Sequence, residues 1–203
     1  MVSFKAYRSI GWSMTILVIC LPLSTVGQSR FPRFDSNVAA EEKQHSAIIA
    51  HLEPMETALI QSTSCYWSGK QTSIILRLKH DKWRKEHWTI HYANRNRTEF
   101  KHISKKRKRL KANVDSMLIK LDALSFWNIA QDSLNISEYQ LNDTTTISTS
   151  ITDGCVREIA VIDRGEYRRL WAYEPERFQE FVFVPERERF IQAFQLIRNT
   201  LEP

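Results

Sequence analysis

The stretch TTTISTSITDGCVREIAVIDRGEYRRLWAY, residues 144–173, decides the fold class. Thr144 to Thr152 is rich in β-branched side chains, which suit a pleated, half-buried surface. Asp153-Gly154 is a dipeptide favoured in two-residue hairpin turns, where both central positions take positive φ. Cys155 to Ile162 is expected to return as a strand, and Asp163-Arg164-Gly165 to turn the chain again. Glu166 to Tyr173 then completes a three-stranded meander.

Outward from that meander, the same reading recurs. Downstream, Pro185 with Glu186 and Glu188 opens a helix whose apolar stripe is Phe190, Phe194, Ile197 and Leu201. Upstream, Leu59 to Trp67 and Ser73 to Lys79 alternate as strands, separated by the turn signal Ser68-Gly69-Lys70. The polar run His80 to Glu86 turns the chain into a third strand. There Trp88, Ile90 and Tyr92 share one face, and His87, Thr89 and His91 the other. A helix is expected from about Lys105 to Ala123, because Leu110, Val114, Met117, Leu118 and Leu121 fall on one stripe. Residues 130–143 are polar and read as a connecting loop. The expected architecture is α+β: an antiparallel sheet of about six strands, in two βββα-like halves, with helices packed on one face.

The first 27 residues have the plan of a secretion signal: Lys5 and Arg8, an apolar run from Ile10, then small residues before a cut at Gln28. The apolar run is shorter than the roughly 20 residues a membrane-spanning helix needs. Residues 28–56 read as a leader with a short helix from about Ala40 to Leu52, and residues 57–203 as a single α+β domain. No later stretch is apolar enough to span a bilayer. The expected location is therefore periplasmic or extracellular. Cys65 and Cys155 are the two cysteines beyond the signal, and an even pair in an exported chain predicts a disulfide between them.

The net charge of +6 is unevenly laid out, with +10 on residues 82–111 and −6 on residues 112–203. Its densest part is Lys105, Lys106, Arg107, Lys108 and Arg109, followed by Lys111. Cations are disfavoured at a helix N-terminus, so this block reads as a contact surface for an anionic macromolecule or an acidic protein surface.

Chemistry-bearing motifs are sparse. His87 and His91 sit four apart in a strand, which separates them by about 13 Å, so they read as partly exposed strand histidines and not as metal ligands. No Gly-x-Ser-x-Gly elbow and no phosphate-cradling glycine loop occurs. Neither cysteine has an activating histidine marked by the sequence, so no catalytic residue, metal site or cofactor is assigned. Trp171 shares a strand face with Tyr167, Arg169 and Tyr173, either as a stacking platform or as core. Three N-glycosylation sequons begin at Asn96, Asn135 and Asn142.

The reading is a non-catalytic exported binding or inhibitor-type protein, using Lys105 to Lys111 to hold its partner. Two alternatives stand beside it. One is an exported hydrolase built from carboxylates among Asp153, Glu158, Asp163, Glu166, Glu174 and Glu176. The other is a structural envelope protein.

Overall fold

The computed structural model describes residues 30–32, 34, 48–52, 56–94 and 99–202. The signal segment, the cut before Gln28, most of the leader and Asn96 lie outside the described residues. The strands are β1 Thr57–Cys65, β2 Lys70–Lys79, β3 Lys82–Tyr92, β4 Phe100–Lys108, β5 Glu138–Asn142, β6 Thr145–Ser148, β7 Cys155–Asp163 and β8 Glu166–Tyr173. The helices are α1 Val114–Ala123, α2 Pro175–Phe181 and α3 Pro185–Leu201. Six strands form one antiparallel sheet in the order β4-β3-β2-β1-β7-β8, and β5 and β6 form a separate hairpin. The α+β expectation holds.

Two-residue periodicity gives the sheet two apolar faces. On one, Leu59, Leu76, Ile159, Val161, Leu170 and Ala172 meet the stripes of α1 and α3. Met117, Leu121, Phe190, Ala193 and Ile197 come to 1% exposure or less in that layer, each burial being worth about 1.5–3 kcal/mol for the larger side chains. On the opposite face, Ala58, Ile60, Ile75, Trp88, Ile90 and Ile162 pack with Ile48 from the leader. Of the helix expected over residues 40–52, the described part is a single 3-10 turn, Ile49–His51.

The strands divide four and two between the halves, because residues 100–108 do not begin a helix. They form β4, paired with β3 from Lys85↔Lys108 to His91↔His102. The helix starts at Val114, after five intervening residues, where the Asn113 side chain accepts a hydrogen bond from the Ser116 backbone N–H at 3.0 Å. The cations thus avoid the positive end of the helix dipole, and Asp115 sits in the first turn instead.

Asp153-Gly154 is also a correction. The strand β6 pairs with β5, inside the expected connecting loop, while β7 pairs with β1 and β8. Asp153 has φ 58°, but Gly154 is not among the positive-φ glycines. Glycine is needed there for space: the Gly154 N–H donates to the Tyr173 hydroxyl at 2.6 Å, and that hydroxyl donates to the Ile151 carbonyl at 3.0 Å. A Cβ at this point would press into Glu174 Cγ and the Tyr173 ring. The turn 163–165 behaves as read, with Arg164 (φ 49°) and Gly165 (φ 90°) joining β7 to β8. The β2–β3 turn is tighter than read, since His80 and Asp81 alone make it.

Two buried arginines fix the irregular chain between α1 and β5. Arg187, on α3, has 0% exposure. Its Nε donates to the Leu134 carbonyl and its Nη1 to the Val182 carbonyl, both at 2.9 Å, and Nη2 donates to the Ile136 carbonyl. Burial pulls its pKa below the ordinary arginine value. Arg168, on β8, donates to the carbonyls of Trp127 and Ile129. Held in this way, the segment closes the outer edge of β8. Gln131 exchanges hydrogen bonds with Trp171 at 2.8 and 2.9 Å, and Asn135 bonds the Trp171 carbonyl and the Tyr173 N–H at 3.2 and 3.0 Å.

Cys65 and Cys155 face each other across β1 and β7 and are disulfide-bonded, 90 residues apart. Closing so long a loop stabilises the fold by up to about 4–5 kcal/mol on the chain-entropy estimate. Replacing both cysteines with serine is expected to lower the urea midpoint accordingly, and reduction of the wild type to move it the same way. Gly154→Ala is expected to cost about 1–3 kcal/mol through overpacking, read as a lower midpoint at unchanged slope.

Candidate functional site

Alternation along β4 splits the basic block between the two faces of the sheet. Lys105 and Arg107 stand opposite Trp88 and Glu86, while Lys106 and Lys108 stand opposite His87 and Lys85. All six cations Lys105, Lys106, Arg107, Lys108, Arg109 and Lys111 are exposed. Lys105 is the best anchored: its Nζ lies 3.9 Å from the centroid of the Trp88 ring, a cation–π contact. Desolvation lowers its pKa, against the raising effect of Glu86. Trp88 Nε1 donates in turn to Glu86 at 2.9 Å, and Arg77 bridges Glu86 and Glu56.

The acidic half does not neutralise this edge. Among the described residues, no carboxylate lies within ion-pair distance of the cations from 105 to 111. Glu158 pairs with Arg169 at 2.8 Å, Glu186 with Arg189 at 2.8 Å, and Glu176 with Arg157. Asp163 accepts from Thr57 Oγ1 at 2.7 Å, and Glu174 accepts from the Cys155 N–H. Four of the six carboxylates named for a hydrolase, Glu158, Asp163, Glu174 and Glu176, thus make structural contacts. Among the described residues, no group of three His, Cys, Asp or Glu side chains is placed to hold a metal ion.

One strand inward from Lys106 lies a pocket of about 330 Å³ on the helix-bearing face. Its polar wall includes Gln61, Thr63, His87, Thr89, Arg198 and Glu202. The strands supply the first four, and the C-terminal end of α3 and the residue after it supply the last two. Register puts Gln61 opposite Ile74, Ile74 opposite His87, and His87 opposite Lys106, so one cross-strand row joins the pocket to the basic edge. Gln61, 4% exposed, donates from Nε2 to the Phe194 carbonyl at 2.6 Å. Its Oε1 and the His87 Nε2 are buried with no hydrogen-bond partner in the protein.

His87 Nδ1 lies 3.7 Å from a Glu202 carboxylate oxygen. Desolvation lowers the His87 pKa, Glu202 opposes that, and Lys85 and Lys108 add to it. His91 has a different neighbour, stacking on His102 at 4.1 Å between ring centroids. The strand thus sends the two histidines to separate partners. The aromatic face of β8 also divides: Tyr167 is buried, Tyr173 is tied to Gly154 and Ile151, and Trp171 stays 36% exposed.

Sequence reasoning assigned the basic block and missed the pocket. The available signal was Gln61, a polar residue directly after Leu59-Ile60 in a central strand. No protein-family model, curated protein or solved structure matches this chain.

An NMR titration is expected to place the His87 midpoint below the ordinary histidine value. Glu202→Gln should lower it further, and Lys108→Gln should raise it. Because the folded pKa is depressed, the unfolded chain takes up this proton first as pH falls. The His87 contribution to stability is therefore full above the unfolded value and lost between that value and the folded one.

Proposed function

We propose that this chain is an exported, non-catalytic binding protein that recognises an anionic partner along β4. The observation that carries the reading is the set of exposed cations Lys105, Lys106, Arg107 and Lys108 on the outer strand, with Arg109 and Lys111 just beyond its end, and no carboxylate within ion-pair distance of them among the described residues. Charges this close repel one another, and an anion laid along the strand relieves that repulsion. Export is supported by the disulfide, which belongs to an oxidising compartment. No helix among the described residues is long and apolar enough to cross a membrane.

A second role for the same cations has its own support. Lysines on an outer strand discourage edge-to-edge pairing with other chains. The two roles separate experimentally. Replacing Lys106, Arg107, Lys108 and Arg109 with Gln, while keeping Lys105 on Trp88, should abolish salt-sensitive retention on heparin and leave the melting temperature unchanged. Retention that survives, together with aggregation or a lowered melting temperature, would refute recognition and leave edge protection. The secreted form should begin near Gln28, which intact mass determines.

A further inference from the structure

The basic edge accepts any polyanion of suitable spacing, but the adjoining pocket discriminates. Gln61 spends its amide N–H on the Phe194 carbonyl, so the atom it has left is an acceptor. The Glu202 carboxylate, 3.7 Å from Nδ1, favours the neutral His87 tautomer with its proton on that nitrogen, which makes the buried Nε2 a second acceptor. A buried acceptor without a donor is destabilising, because its lost hydration is not replaced. Two of them in one wall call for a ligand that brings O–H or N–H groups.

Charge narrows the choice. Sulfate, phosphate or carboxylate oxygens have no hydrogen to donate at neutral pH, and two lone pairs would repel them from this wall. An ammonium group would be drawn to Glu202 but meets Arg198 in the same lining, with Lys85 and Lys108 close enough to act on His87. A neutral group bearing hydroxyls suffers neither penalty, and the Thr63 and Thr89 hydroxyls serve it as donors or acceptors. The row Gln61, Ile74, His87, Lys106 spans three inter-strand spacings, about 14 Å. Hydroxyl-binding and anion-binding positions are therefore set side by side.

We propose that the partner is an acidic polysaccharide, with a hydroxyl-bearing sugar ring seated against Gln61 and His87 and its anionic groups on Lys106 and Lys108. This rests on the anion-binding reading of β4 and adds the class of partner to it. A nucleic acid, an acidic peptide or a bilayer surface satisfies the edge by charge alone.

The test compares a sulfated heparin oligosaccharide with polyphosphate and oligoglutamate of matched charge, at fixed salt, by calorimetry. The oligosaccharide should bind at least about tenfold more tightly, the worth of two hydrogen bonds. It alone should shift the Thr89 and Gln61 side-chain resonances of the wild-type protein, because any anion on Lys108 also moves His87. Thr89→Val and Gln61→Leu should each weaken the oligosaccharide and leave polyphosphate unchanged. The Lys106 and Lys108 Gln variant should weaken all three. Equal affinity for the three anions, with Gln61 side-chain and Thr89 resonances unmoved, would overturn the polysaccharide proposal while leaving β4 as an anion site. Failure of all three to bind would overturn the anion-binding reading itself.

Discussion

A guanidinium carries five N–H donors and keeps its charge in proteins, so burying one obliges the surrounding backbone to supply oxygens. Arg187 imposes that constraint here. Its three carbonyl partners come from two segments distant in sequence, around residues 134–136 and at Val182. Together with Arg168 it sets the path of the chain from Trp127 to Ile136, which has only short 3-10 turns of its own. Two further features depend on that path. The side chains of Gln131 and Asn135 arrive at the edge of β8, and α3 is seated so that Phe194 holds Gln61 and its C-terminal end overhangs the sheet. The pocket wall is thus built at one end of α3 by packing that Arg187 anchors near the other.

The sheet consequently ends in two different ways. Its β8 side is closed by neutral amides that satisfy backbone groups directly. On its β4 side no further strand follows among the described residues, and the edge is lined with charge. In Asn135 both ends of the amide are engaged, so this sequon's nitrogen is spent on a strand edge. Asn142 lies in the exposed β5–β6 hairpin, where its Oδ1 accepts from Thr144. The contrast between edges is one of chemistry: one border is completed by amides from within the chain, and the other presents cations.

Wherever apolar residues alternate, the sequence was legible. Strands around Ile74, Trp88 and Ile159 and the stripe of α3 all follow from periodicity. Lys105 to Arg109 defeated the same reasoning, because a run of cations has no apolar period and its strand character comes from pairing with β3. Asp153-Gly154 misled for another reason: its glycine answers to the bulk of Tyr173 and Glu174, which are far away in sequence. Arg187 looked like one charge among Glu186, Glu188 and Arg189. Extending the stripe of Phe190 and Phe194 back by one turn reaches it, and that was its available mark. Of the pocket only Gln61 left a mark in the sequence, since Gln61, His87 and Arg198 meet only through strand order and the seat of α3.

The disulfide has a consequence beyond stability. Its ring runs from Cys65 to Cys155 and contains β2, β3, β4 and α1, hence the basic edge and much of the pocket wall. A protease that cuts once anywhere inside this ring, for example in the exposed β5–β6 hairpin, leaves two pieces that are still covalently joined. The helix bearing Arg198 stays tethered to the strand bearing Gln61. In surroundings rich in proteases and free of reductant, a nicked molecule remains one molecule, and its basic edge and pocket wall outlast the continuity of its backbone.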